Sequence, residues 1–115
     1  KACPSISIDD GVMERADKVY VVPGSFDWSD VGDWKAVFEL REKGKSGNAV
    51  EGNVILHDAS RCFVQAGDKL VALIGVEDLI VVNTEDALLV CHKEATQRVK
   101  NVVDYLYTHR LDKYV

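Results

Sequence analysis

Two tryptophans and three aspartates lie close together between Phe26 and Trp34, in the sequence Phe-Asp-Trp-Ser-Asp-Val-Gly-Asp-Trp. Indole side chains bury large apolar areas and usually need a partner for their N–H, whereas unpaired carboxylates are costly inside a core. The combination therefore indicates a site where aromatic side chains border a polar ligand. The aspartates could hold a cation or accept hydroxyls, and the glycine would let the backbone approach the ligand.

A short helix and a strand are predicted before this stretch. Apolar residues at helical spacing run from Val12 to Ala16, so the helix has about two turns. The segment Lys18–Pro23 is β-branched and aromatic and ends in Pro-Gly, which predicts a buried strand that leads into the aromatic and acidic stretch. Three residues are suitable N-caps for the helix: Ser7, Asp9 and Asp10.

A second helix is predicted after the stretch, from about Gly32 to Lys43, with Ser29 or Asp30 as its N-cap. The simplest role of Asp30 is that of a cap, and this role can coexist with metal binding. Residues 42–53 are then charged and rich in glycine, which places a domain boundary near residue 45. We expect residues 1–45 to be the end of one domain and residues 46–115 to form a second.

The second domain is predicted to be mainly β. Short apolar segments recur every seven to ten residues, without helices between them, which fits either a β-solenoid or a small barrel. A helix is expected after Lys93, with its apolar stripe packed on the β unit or on the same helix of another subunit. The stripe consists of Val99, Val102, Val103 and Leu106. The β segments are 54–56, 62–64, 70–74, 79–82 and 87–90.

Composition excludes several classes of function. The net charge is −5 and the basic residues are scattered, so nucleic acid is not an expected partner. No apolar run approaches the roughly 20 residues needed to span a bilayer, so no membrane partner is expected either. Cys3, Cys62 and Cys91 are odd in number and lack metal-ligand spacing, which favours reduced core residues in the cytoplasm. The absence of an initial methionine indicates a piece of a longer protein.

Two strings resemble the mannose-1-phosphate guanylyltransferases, a family of sugar-nucleotide pyrophosphorylases. They are Ser7-Ile8-Asp9 with Val12-Met13-Glu14, and Trp28-Ser29-Asp30-Val31-Gly32 with Trp34. The run from Val81 to Val90 is similar to the β-helical C-terminal region of the same family. The resemblance implies an α/β end of a nucleotidyltransferase domain, followed by a mainly β unit like a left-handed β-helix, with a C-terminal helix.

The resemblance also implies the chemistry. In that family the aspartate of Trp-Ser-Asp-Val-Gly, here Asp30, helps to hold Mg²⁺ at the centre where GTP and mannose-1-phosphate form GDP-mannose and pyrophosphate. Substrate contacts are implied for Asp9, Glu14, Trp28 and Gly32. The residues themselves favour packing against the helix start over ligand contact for both Trp28 and Trp34, and the two acids are equally suited to the first turn of a helix. The family's glycine-rich nucleotide loop is absent from this sequence, so the chain alone is expected to be inactive.

Some positions depart from the family pattern, and other functions stay open. Asp33 stands where serine is common, and Asp10 and Asp27 also differ from the usual residues. A non-catalytic β-solenoid used for binding or assembly is one alternative, and a related pyrophosphorylase for another sugar phosphate is a second. In each case the exposed ends of the β coils need covering, which predicts a homodimer through the β region.

Overall fold

The computed structural model describes residues 5–26 and 28–115, so Cys3 and Asp27 lie outside the described residues. These described residues form three α-helices, α1 (Ile8–Gly11), α2 (Trp34–Leu40) and α3 (Val99–Thr108). They also form six strands, β1 (Ala49–Glu51), β2 (Val54–His57), β3 (Phe63–Gln65), β4 (Val71–Ile74), β5 (Leu79–Asn83) and β6 (Leu88–His92). Short 3₁₀ segments within the same ranges are Met13–Arg15, Lys45–Gly47, Lys93–Arg98 and Asp112–Tyr114.

Strands β1 to β5 alternate between two sheets as the chain advances, and β6 then joins the same sheet as β5. One sheet has the order β1-β3-β5-β6, in which the first three strands are parallel and β6 is antiparallel to β5. The other sheet is the parallel pair β2-β4. The coil from β1 to β3 takes 14 residues, since Ala49 pairs with Phe63, and the coils from β2 to β4 and from β3 to β5 take 17, since Val54 pairs with Val71 and Phe63 with Ile80. The seven-to-ten-residue recurrence is therefore half a coil, and the architecture is β-helix-like, with a C-terminal helix as predicted.

The space between the two sheets forms one of two cores. Its members are small or aliphatic residues, and most alternate with residues on the outer faces of the sheets. Cys62 lies here as a fully buried free thiol, which confirms the prediction of a reduced core cysteine. The buried members of this core are Ala59, Cys62, Val64, Leu73 and Val81.

Buried asparagine side chains satisfy the backbone where the coils turn. The Asn48 amide donates to the Ala59 carbonyl at 2.7 Å, and its oxygen accepts from the Cys62 N–H at 2.8 Å. The Asn83 amide donates to the Ala66 carbonyl at 2.9 Å. Because unpaired buried backbone groups are costly, these amides let neighbouring coils turn without leaving polar atoms unsatisfied.

The second core lies on the outer face of the four-stranded sheet and is covered by α2. Phe38 is 3% exposed and packs with Phe63 and Ile80, while Trp34 stacks on Phe63 with ring centroids 6.1 Å apart. The prediction that Trp34 is a packing residue is therefore confirmed. Helix α2 lies on the N-terminal side of the boundary expected near residue 45, yet it packs into the β unit; the boundary itself stays a prediction.

Two local predictions for residues 5–31 were wrong. Lys18–Pro23 forms no strand, and Tyr20, Val21 and Val22 are 88%, 84% and 89% exposed. A strand needs neighbours for its backbone groups and its apolar side chains, and no strand among the described residues pairs with this segment. The first helix, predicted to have about two turns, is a single turn followed by a 3₁₀ segment. Its N-cap is Ser7, one of the three predicted candidates.

Differences also occur near α2 and the C-terminus. Helix α2 is shorter than the predicted range 32–43. Strand β1 forms within the charged, glycine-rich residues 42–53, where no strand was predicted. Helix α3 is present, but it buries no side chain, and Val102 of its stripe is 52% exposed. The expected packing of the whole stripe on the β unit is therefore not observed, since α2 already covers the outer face of the sheet. None of the described helices is both long and apolar enough to cross a membrane.

Candidate functional site

The loop 28–32 leads directly into α2 and exposes most of its side chains. Trp28 is 72% exposed, so its predicted packing against the helix start is not observed and its indole is free to border a ligand. Asp30 is exposed as well. A methyl group on Gly32 would lie 4.0 Å from the Asp30 carboxylate oxygen, an ordinary van der Waals contact, so the surroundings of this glycine are open.

The structure places the other predicted substrate residues on α1 and the turn after it. Asp9 lies in the first turn of α1 and Glu14 in the 3₁₀ segment Met13–Arg15, and both side chains are exposed. Among the described residues, no hydrogen bond or ion pair joins either of them to Asp30. These contacts therefore do not join the predicted residues on α1 and its following turn to those of the loop 28–32.

Asp33, rather than either of the two predicted caps, is the N-cap of α2. Its Oδ1 accepts the Ala36 N–H at 2.9 Å, so the proposals of Ser29 or Asp30 as the cap were wrong. Its Oδ2 accepts from the Thr96 hydroxyl at 2.9 Å and from the Gln97 amide at 2.6 Å. The Ala36 N–H is the main cause of a lowered pKa of Asp33; partial burial opposes this shift, and Thr96 and Gln97 add to it.

A second polar contact ties the same two segments together. The Lys35 ammonium lies 2.8 Å and 3.0 Å from the two carboxylate oxygens of Glu94. This contact lowers the pKa of Glu94 and raises that of Lys35. Since both side chains are largely exposed, the pair contributes orientation more than stability.

An open cleft of ≈ 420 Å³ lies where these segments meet. One wall is formed by the end of the loop and the first turn of α2, and the other by the 3₁₀ segment after β6 and the start of α3. The walls mix apolar residues with hydroxyl, amide, carboxylate and ammonium groups. The lining residues are Val31, Gly32, Asp33, Trp34, Val37, Thr96, Gln97, Val99 and Lys100.

The residues present can supply part of a magnesium site. Residues 5–26 and 28–115 contain no group of three His, Cys, Asp or Glu side chains arranged to hold a metal ion. Mg²⁺, however, is commonly held by one or two carboxylates together with water and substrate phosphates. The exposed carboxylate of Asp30 is accessible for one such ligand position.

Comparison with known proteins places this geometry in context. Residues 52–106 match the family described as the MannoseP isomerase/GMP-like beta-helix domain. The chain is 44% identical over 103 residues to the alginate biosynthesis protein AlgA of Pseudomonas aeruginosa, a match that covers 90% of the chain and 21% of that protein. It is 41% identical over 112 residues to a mannose-1-phosphate guanylyltransferase of Klebsiella pneumoniae, covering 97% and 24%.

A solved structure agrees with these matches. The crystal structure of a mannose-1-phosphate geranyltransferase from Thermus thermophilus superimposes with a TM-score of 0.77 at 40% identity, over 90% of this chain and 32% of that one. The chain thus spans less than a third of the length of each of these relatives. Residues 52–106 are thus similar to the MannoseP isomerase/GMP-like β-helix domain, and most of the chain is similar to the C-terminal part of mannose-1-phosphate guanylyltransferases.

Proposed function

We propose that this chain is the C-terminal part of an enzyme that makes GDP-mannose and pyrophosphate from GTP and mannose-1-phosphate. The observation that supports this most directly is the extent of the similarity to a mannose-1-phosphate guanylyltransferase, which covers 97% of the chain and so includes both the loop 28–32 and the β unit. The chain alone is inactive in this proposal, because the residues that bind the nucleotide belong to the rest of the enzyme.

The exposed loop supplies groups that suit this reaction. Bound Mg²⁺ would neutralise charge as an oxygen of the sugar phosphate attacks the α-phosphorus of GTP and pyrophosphate leaves. Asp30 holds the ion, and Gly32 lets the backbone approach the phosphates. Trp28 borders the substrate, and the carboxylates of Asp9 and Glu14 accept hydrogen bonds from sugar hydroxyls.

The apolar surface of the N-terminal segment supports a place inside a larger catalytic domain. Ile8 is 74% exposed, Phe26 is 75% exposed, and the described residues before Trp34 bury no large hydrophobic side chain. Contiguous exposed apolar residues mark a surface that another part of the protein covers. We propose that the remaining strands and helices of a nucleotidyltransferase domain cover it, with residues 1–45 as the end of that domain.

The proposed location is the cytoplasm, and the proposed assembly is a homodimer through the β region. The free thiols of Cys62 and Cys91 support a reducing compartment. An apolar groove of ≈ 550 Å³ along β4 and β6 supports the dimer, because exposed side chains of these strands lie side by side there. They include Leu70, Ile74, Leu88 and Val90.

Pyrophosphate release by the full-length protein tests the proposed reaction. With GTP, mannose-1-phosphate and Mg²⁺, we expect activity from the wild type and a loss of about 100-fold or more in Asp30→Asn, because removal of a carboxylate ligand weakens the metal site. Asp68→Asn, in the exposed turn between β3 and β4, is the matched control and should retain activity.

The outcomes separate the alternatives. Full activity in Asp30→Asn would leave Asp30 without a metal role. Activity only with another sugar phosphate would change the substrate and keep the enzyme class. Failure of the wild type with every sugar phosphate and nucleoside triphosphate tried would favour a non-catalytic assembly module, for which the apolar groove is the supporting observation.

A further inference from the structure

The carboxylate of Asp33 connects the loop 28–32 to a segment more than 60 residues later in the chain. Its two oxygens have separate tasks, since one caps α2 and the other accepts from Thr96 and Gln97. Both oxygens of Asp33 thus already accept hydrogen bonds from N–H or O–H donors. The nearest exposed carboxylate before it among the described residues is that of Asp30.

The donors to Asp33 are held in place by their own surroundings. Thr96 is 4% exposed, in the 3₁₀ segment that follows β6, so its hydroxyl has a fixed position relative to the β unit. The ion pair between Lys35, in the first turn of α2, and Glu94 joins the same two segments. A charge-assisted hydrogen bond to a partly buried carboxylate is stronger and more directional than a neutral one.

The N-terminal side of the loop lacks comparable support. Residues 16–25 have no regular structure, and Val21 and Val22 are exposed. Within the described residues, the position of the loop therefore depends on its C-terminal end, where Asp33 meets Thr96 and Gln97.

We propose that Thr96 and Gln97 are positioning residues, which act through Asp33 to fix the loop that carries Asp30. This inference rests on the proposed function, and it assigns the segment after the last strand a part in the reaction beyond shape and subunit contact. The 3₁₀ segment does not touch the substrates; it sets the direction from which Asp30 approaches the metal.

The dependence of activity on Mg²⁺ concentration tests this proposal in the full-length protein. The variant combining Thr96→Val and Gln97→Leu should raise the Mg²⁺ concentration for half-maximal activity by about 10-fold, the lower range seen when residues that orient metal ligands are lost. Its kcat at saturating Mg²⁺ should fall much less. The single variant Thr96→Ser keeps both the hydroxyl and Gln97, and it should retain the wild-type Mg²⁺ dependence.

The control is Thr108→Val, because the Thr108 hydroxyl donates only to the Asp104 carbonyl of its own helix. It should leave the Mg²⁺ dependence unchanged. An unchanged Mg²⁺ requirement in the double variant would overturn the positioning role while leaving the proposed reaction intact. A variant that only loses stability would show a lower melting temperature without this shift.

A second measurement reads the loop without any catalysis. The Ala36 amide, which donates to Asp33 at the point where the loop joins α2, should exchange with deuterium faster in the double variant than in the wild type, and at the wild-type rate in Thr108→Val. Unchanged exchange would overturn the positioning role, whether or not the wild type releases pyrophosphate. A wild type that releases no pyrophosphate would by itself contradict only the proposed function.

Discussion

Asp78 shows how one carboxylate can join three turns of the β unit. The Arg61 guanidinium approaches its two oxygens at 3.0 Å and 2.7 Å, and the Lys93 ammonium lies 3.2 Å away. These turns precede β3, precede β5 and follow β6. The guanidinium is the main reason that the pKa of Asp78 lies well below its usual range, with Lys93 adding to the effect.

This lowered pKa predicts how stability depends on pH. The stabilisation due to Asp78 should be complete above its unfolded pKa of about 3.9 and should be lost as the pH falls from there through the lower folded pKa. Asp78→Asn keeps a residue that tolerates the positive φ of 56° at this position. Its melting temperature should lie below that of the wild type at pH 7, and the difference should shrink below pH ~4.

Glu77→Gln is the control for that experiment. Glu77 contacts the same guanidinium at 2.6 Å, but its side chain is 67% exposed, against 20% for Asp78, so solvent screens the interaction. It should lower the melting temperature less and with a weaker dependence on pH. Equal losses for the two variants would contradict a special role of Asp78.

At the same scale, the sequence could identify the loop residues but not the cap. The types and spacing of Trp28, Asp30 and Gly32 indicated a polar-ligand site, and the structure leaves all three exposed. Three good N-cap residues lie within five positions, and local propensity does not separate them. Asp33 caps the helix in the structure, and it alone is bonded to Thr96 and Gln97, contacts that no local pattern could reveal.

At the scale of elements, α2 determines how the loop is attached to the β unit. The spacing of Trp34, Val37 and Phe38 correctly predicted an amphipathic helix, but not the surface that it covers. The strand predicted at Lys18–Pro23 failed for a related reason. Its composition favours a strand, whereas a strand forms only where neighbouring strands complete its hydrogen bonds.

The packing of α2 predicts a large effect of Phe38→Ala. Phe38 is 3% exposed within the outer core, and its removal should lower the free energy of unfolding of the 115-residue chain by about 3–5 kcal/mol. Leu40→Ala on the same helix is the control, since Leu40 is 60% exposed and its replacement should change the free energy by less than about 0.5 kcal/mol. Urea denaturation followed by circular dichroism would measure both values.

A small effect of Phe38→Ala would contradict the assignment of α2 to the β unit. It would mean that the helix separates from the sheet before the strands unfold. In that case the hydrogen bonds of Asp33 could not transmit a fixed geometry to the loop, and the positioning role of Thr96 and Gln97 would lose its physical basis.

At the scale of the whole molecule, the β unit is covered on one side and open on the other. Helix α2 shields the outer face of the four-stranded sheet, while the groove along β4 and β6 leaves Ile74 and Leu88 69% and 60% exposed. The sequence predicted open coil ends that need covering, although it could not locate them before the strand order was known.

The proposed homodimer would bury this groove, which Val90→Lys tests in the full-length protein. Val90 is 54% exposed on β6, so a lysine is tolerated by the single chain but would place a charge inside the subunit interface. Val50→Lys is the control, because Val50 is 51% exposed on β1, outside the groove. Sedimentation velocity at micromolar concentration should show a dimer for the wild type and Val50→Lys, and a monomer for Val90→Lys. A monomeric wild type, or a dimer that Val90→Lys leaves intact, would mean that the groove is not the interface.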